Sequence, residues 1–106
     1  MFFFGKKEMD ELAAEAFWQW FAQQEQWIIH TLNTHGMDVV WAIDAQLKPV
    51  FPYFKQELEF QLGFHHGKGE FLFFYMEDRN LLADAVKLRD KMPGPLRERW
   101  TFTIEA

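Results

Sequence analysis

The sequence predicts an α+β fold: a single two-layer domain over residues 1–106, in which helices cover one face of a small, mostly antiparallel three-stranded sheet. Apolar residues recur at helical spacing in three segments, whereas polar and apolar residues alternate strictly in two others, as they do in half-buried strands. A chain of 106 residues with 49% hydrophobic residues is long enough for one core. The predicted element order is α-α-β-β-α-β.

The first helix is predicted over residues 9–33. Phe17, Phe21 and Ile28 recur on one face at steps of three and four residues. Acidic side chains occupy the first turns, where the helix dipole favours negative charge. Gly36 is expected to end this helix as a C-cap glycine.

Two further helices follow the same pattern. One is predicted over residues 39–48 with Asp38 as its N-cap. The other is predicted over residues 79–92, where either Asp78 or Asn80 caps it. Prolines follow both segments, which is typical of helix ends.

Three strands complete the expected sheet. Residues 57–64 and 100–105 alternate between polar and apolar, and residues 70–76 are apolar on both faces. The glycine-rich segment 65–69 predicts a hairpin turn between the first two strands. We expect strand order 1-2-3 with strand 70–76 in the centre and a right-handed crossover through the third helix. A split arrangement is the alternative.

Composition and charge exclude several classes of protein. The absence of serine and cysteine rules out a serine or cysteine nucleophile, disulfides and thiolate zinc sites. The formal charge of −5 disfavours binding to nucleic acid, which normally needs a basic excess. No apolar run approaches the length of a membrane span, so we expect a cytoplasmic protein without membrane contacts.

The residues that could support catalysis do not form a recognisable set. Glu57 and Glu59 share one strand face about 7 Å apart, as an acid–base pair would require. His65 and His66 are adjacent, and neighbours on an extended segment point in opposite directions, which makes them poor joint metal ligands. We therefore expect no catalytic residue, no metal site and no cofactor. A hydrolase that uses these four residues is the alternative.

One candidate surface lies on the first helix. Trp18 is at one edge of the apolar arc, in a row with Glu11 and Glu25, so we expect its side chain to be partly exposed. An exposed tryptophan next to acidic residues is typical of a protein-binding surface.

A second candidate surface lies on the sheet. If one row of strand 70–76 packs on the helices, the opposite row forms an apolar strip between polar neighbours, which is the layout of an interface core and rim. Either this strip is an interface or residues 2–4, three phenylalanines, fold over it and close the core. The candidate partner-binding residues are Glu11, Trp18, Glu25, Glu57, Glu59, Leu72, Phe74 and Met76.

Two resemblances bear on function. The aromatic segment 17–21 with Glu25 after it, and the ending from Met92 to Phe102, resemble a loose group of small bacterial α+β proteins of uncharacterised function. In size, acidity and lack of catalytic motifs, the chain is also similar to immunity proteins of contact-dependent growth inhibition toxin systems. This similarity implies a non-enzymatic module that binds and neutralises a basic toxin, such as a nuclease. The alternative is a small-ligand-binding or self-associating domain, which includes a homodimer.

Overall fold

The computed structural model describes residues 8–106, and its longest element is the helix α1, Glu11–Leu32. Asp10 is the N-cap of this helix, and its carboxylate accepts a hydrogen bond of 3.0 Å from the backbone N–H of Ala13. The helix is continuous over 22 residues. It ends at Asn33, whose N–H donates to the carbonyl of Thr31.

The predicted order of elements is confirmed, with one short helix added before the last strand. After α1 the chain forms α2 (Gly36–Leu47), a 3₁₀ turn (Lys48–Val50), β1 (Glu59–His65), β2 (Lys68–Phe74), α3 (Arg79–Asp90), α4 (Gly94–Arg97) and β3 (Trp100–Glu105).

The boundary between the first two helices differs from the prediction. Gly36 does not end α1: it is the first residue of α2, and positive φ among the described glycines is confined to Gly67. The three-residue connection is closed by hydrogen bonds to the carbonyl of Thr31, so no left-handed glycine is needed. As a result Asp38 lies inside the first turn of α2 and is not its N-cap, although a carboxylate there still interacts favourably with the helix dipole.

At α3 the structure decides between the two predicted caps. The carboxylate of Asp78 accepts a hydrogen bond of 3.1 Å from the backbone N–H of Leu81. Asp78 is therefore the N-cap, while Asn80 lies within the first turn.

The sheet has the predicted strand order, β1-β2-β3, with β2 in the centre. β1 and β2 pair antiparallel, and β2 and β3 pair parallel. The parallel pair requires the chain to cross over between β2 and β3, and α3 lies in that crossover. Two strand ends differ from the prediction: Glu57 precedes β1, and Met76 follows β2. Met76 has a φ of 52°, which turns the chain out of the strand.

The two faces of the sheet have different environments. Phe71 and Phe73 of β2 are buried against the helices, whereas Leu72 and Phe74, which alternate with them along the strand, are half-buried on the opposite, open face. Whether residues 2–4 cover that face lies outside the described residues. Edge-to-face contacts bind the layers together, such as Phe21 of α1 with Trp100 of β3, whose ring centroids are 5.0 Å apart. Among residues 8–106, none of the helices combines the length and apolarity needed to cross a bilayer.

Close packing between β2 and β3 requires a glycine at one position. A Cβ atom at Gly69 would overlap the six-membered ring of Trp100, which itself is buried beneath α1. At Gly63 of β1, by contrast, a Cβ atom would have no neighbour within 4 Å. The two strand glycines therefore form a matched pair, one required by packing and one free to change.

We expect the substitution Gly69→Ala to lower the free energy of unfolding by about 2 kcal/mol, because Trp100 or the strand must shift to relieve the overlap. The matched variant Gly63→Ala should change it by less than about 0.5 kcal/mol. Urea unfolding followed by tryptophan fluorescence measures both. Equal effects of the two substitutions would contradict the packing described for Trp100.

Candidate functional site

The open face of the sheet has an apolar centre and polar borders. In each register row the residues of the three strands point to the same side, which places Phe74 between Glu59 and Glu105, and Leu72 between Gln61 and Thr103. The strip predicted for Leu72 and Phe74 is therefore present, although it is only two residues long within the strand.

Two shallow depressions lie along this strip. The larger, of about 350 Å³, is lined by Glu59, Phe60, Gln61, Phe74, Met76 and Ala106. It thus brings together three of the residues that the sequence selected: Glu59, Phe74 and Met76. The smaller, of about 220 Å³, lies beside Leu72 where Gly63 contributes no side chain. Glu57 is exposed in the loop before β1 and lines neither depression.

The carboxylates of the open face have no partners within the described chain. Glu59, Glu70 and Glu105 are exposed, and none of them forms an ion pair or a side-chain hydrogen bond with another of residues 8–106. Carboxylates on the helical side differ: Asp44 pairs with Lys48 at 3.0 Å, for example. The open face therefore combines exposed apolar area with three carboxylates that form no ion pair within the described chain. Lys68, at the hairpin end of the same face, donates to the carbonyl of Glu98 instead.

The four residues of the alternative hydrolase site do not converge. Glu59 begins β1 and His65 ends it, so six residue steps separate them by about 20 Å. The expectation that His65 and His66 point in opposite directions is wrong, because their ring centroids are 3.9 Å apart. His66 has a φ of 53°, and this left-handed backbone breaks the alternation of the strand. Within residues 8–106 no group of three His, Cys, Asp or Glu side chains is placed to bind a metal ion.

The expectation that Trp18 is partly exposed is also wrong. Its side chain is 2% exposed, and its Nε1–H donates a hydrogen bond of 2.8 Å to the carbonyl of Leu88 in α3. The reason is that α1 is covered on two sides. Phe21 packs on the sheet, whereas Trp18 is covered by the last turn of α3 at Leu88 and by Phe102 of β3.

Glu25 lies in the same row and is equally internal. Its carboxylate is bound by Nε and Nη2 of Arg99 at 2.7 and 2.8 Å and by Nε1 of Trp100 at 2.9 Å. These hydrogen bonds, from Arg99 above all, hold the pKa of Glu25 below its usual value in spite of burial. Glu25 therefore connects α1 to β3 and is not available to a partner.

Glu11, the third member of the row, is exposed but already paired. Lys91 Nζ lies 2.9 Å from its carboxylate and lowers the pKa of Glu11, while Glu15 lies 3.8 Å from the same amine. The row of Glu11, Trp18 and Glu25 is thus the contact between α1 and the α3–β3 unit.

Sequence reasoning missed several residues that the structure distinguishes. Trp41 is 66% exposed and Met37 is 57% exposed on the outer side of α2, and Trp27 of α1 is exposed as well. A helical projection of α2 predicts this, because Trp41 lies opposite its buried residue Ile43. A second feature had no signal in the sequence: Tyr53 donates a hydrogen bond of 2.7 Å to the buried carboxylate of Asp84. Burial and this carboxylate raise the pKa of Tyr53.

The predicted site residues therefore separate into two groups. Glu59, Leu72, Phe74 and Met76 converge on the open face of the sheet, whereas Trp18 and Glu25 belong to the interior. Comparison of this chain with protein-family models, curated proteins and solved structures finds no match.

We expect Glu25→Gln to lower the free energy of unfolding at pH 7 by about 1–3 kcal/mol, because an amide cannot accept both hydrogen bonds from Arg99. The folded-state pKa of Glu25 lies below its usual value of 4.5, so its contribution is complete above pH 4.5 and is lost as the pH falls through the folded-state pKa. Chemical unfolding of both proteins at a series of pH values measures the difference, which should shrink below pH 4.5.

The control is Glu70→Gln, which removes an exposed carboxylate without a partner and should change stability at pH 7 by less than about 0.5 kcal/mol. A difference between wild type and Glu25→Gln that stayed constant at all pH values would contradict the ion pair.

Proposed function

We propose that this protein is a non-enzymatic protein-binding module whose open sheet face receives a basic segment of its partner. The observation that supports this proposal best is the placement of half-buried Phe74 between Glu59 and Glu105, two carboxylates with no partner within the described chain. A half-buried aromatic ring between unpaired acids favours a ligand that is both apolar and cationic.

Lysine and arginine side chains have this double character. Their aliphatic stems pack on apolar surface while the charged end binds carboxylates. On the open face the stem would lie along Phe74 and Met76, and the cation would reach Glu59 or Glu105. Hydrogen bonds between a cation and a carboxylate are about twice as strong as neutral ones, which gives such a contact its specificity.

The most concrete form of the proposal is an immunity-type inhibitor of a basic bacterial toxin, such as a nuclease. The formal charge of −5 supports it, because an acidic surface speeds association with a basic partner and orients the encounter. The similarity of the chain in size and charge to immunity proteins points the same way. The toxin would dock on the sheet side, and the helices would serve as the rigid support.

The open face is unsuited to pairing with a second copy of itself. Two such faces would bring Glu59, Glu70 and Glu105 of each copy against the same acids of the other, and like charges placed opposite one another repel. The acidic borders therefore favour a basic partner over self-association through the sheet.

The proposal predicts that the product of the gene next to its own co-purifies with this protein at low salt and dissociates as salt is added. The variant Glu105→Gln should weaken this complex about tenfold, since it removes one charge from the rim of Phe74. The matched control Asp38→Asn removes one exposed charge from the helical side and should leave the affinity within about twofold. Titration by calorimetry measures both.

Absence of a co-purifying neighbour would contradict the inhibitor proposal. Equal weakening by Glu105→Gln and Asp38→Asn would contradict the assignment of the sheet face, because the effect would then come from net charge alone.

A further inference from the structure

The outer side of α1 lacks charge over most of its length. From residue 16 to residue 37, Glu25 is the one charged residue, and its carboxylate is buried. A helix face exposed to water normally has charged side chains, and a quarter of this chain is charged. The exposed residues of α1 after its first turns are Ala16, Gln19, Ala22, Gln23, Gln26, Trp27 and His30.

Exposed tryptophan and methionine side chains lie at the same level of the helical side. Trp27 is five residues before the end of α1, and Trp41 is five residues after the start of α2, which follows a three-residue connection. Short connections of this kind join antiparallel helices, so the two tryptophans lie at similar heights. Depletion of charge together with exposed Trp and Met is the composition of a protein interface.

We propose that the outer face of α1, flanked by Met37 and Trp41 of α2, is the interface of a homodimer. The spacing on α1 supports a helix as the partner: Ala16, Gln19, Gln23, Gln26 and His30 recur at steps of three, four, three and four residues. Such a stripe runs along one side of a helix, and its alanine and amide side chains allow the same stripe of a second helix to lie against it without burying a charge.

Charge favours a second copy as the occupant. Two molecules that each have a formal charge of −5 repel one another. The repulsion is least along α1, which has no exposed charge between residues 16 and 32, whereas Asp38 and Lys48 are exposed near the two ends of α2. Glutamine side chains suit a contact between identical faces because each amide has both hydrogen-bond donors and an acceptor. The amides of one copy can therefore form hydrogen bonds with those of the other. A foreign partner that is basic gains nothing from a neutral face and is better matched by the sheet.

Symmetry identifies the residue nearest to the dimer axis. In a twofold dimer the same patch of each subunit meets its copy. If two α1 helices cross antiparallel along the stripe, its middle residue, Gln23, faces Gln23 of the partner subunit. A negative charge introduced there therefore meets its own copy across the axis.

The size of the patch indicates a weak contact. Residues 16–30 extend over about 22 Å, and α1 with α2 is about 20 Å wide, so the footprint is about 440 Å² per subunit. This is about half of the 800 Å² that a standard stable interface buries on each side. We therefore expect a reversible dimer with a Kd in the micromolar range.

Sedimentation velocity of the full chain over a concentration series from about 5 to 500 µM tests the proposal. The wild type should change from monomer to dimer, with little dependence on salt. Gln23→Glu should raise the dimer Kd at least about tenfold. Its matched control Gln61→Glu makes the same change at an exposed position on the open face of the sheet and should leave the Kd unchanged. Circular dichroism confirms that both variants fold.

Three results would overturn the proposal: a wild-type monomer at every concentration, a dimer that Gln23→Glu leaves intact, or a dimer that Gln61→Glu dissociates equally. The third result would indicate that self-association occurs through the sheet. The proposed dimer interface lies on the helical side, so a result that excludes the dimer does not affect the proposed binding of a basic partner to the sheet. A result that excludes the binding of a basic partner likewise does not affect the proposed dimer.

Discussion

The structure depends on the attachment of α1 to the α3–β3 unit by two buried polar contacts. The indole of Trp18 donates to the carbonyl of Leu88, and the carboxylate of Glu25 is bound by Arg99 and Trp100. Each contact joins residues about 70 positions apart in the chain. The indoles of Trp18 and Trp100 and the carboxylate of Glu25 are buried, so each needs its partner, whereas Arg99 is partly exposed. These contacts therefore determine how the helices and the sheet can be assembled.

Periodicity was enough to predict the elements and the sheet order, because each pattern reports which side of its own segment is buried. It was not enough to predict how many neighbours a helix has. The pattern places Trp18 at the edge of one buried arc, but Leu88 of α3 and Phe102 of β3, at least 70 residues later in the chain, cover it. The short connections were also not predictable. Residue type did not specify that Gly36 begins α2, and strand alternation did not specify the left-handed backbone of His66.

The candidate site was predictable where strand register determines it and unpredictable elsewhere. Leu72 and Phe74 follow from the opposite directions of successive side chains in a strand that is apolar on both faces. Glu59 follows from the polar–apolar alternation of β1. Periodicity alone does not predict the exposure of Trp27 and Trp41, because each lies beside a core position of its helix. The glutamines of α1 that precede Trp27 have no charge or catalytic group that would indicate a site. The many aromatic side chains of the protein therefore have two roles: most rings fill the core, and a few face outward on opposite sides of the molecule.

Hydrogen exchange of the indole N–H groups, followed by NMR, tests most directly which tryptophans are held in the core and which face outward, because each of the five tryptophans gives one signal. The indoles of Trp18 and Trp100 donate to buried acceptors, so they should exchange only through global unfolding, at least about 1,000-fold more slowly than those of Trp27 and Trp41. If the indole of Trp18 exchanged as fast as that of Trp41, the attachment of α1 to α3 and β3 would be contradicted.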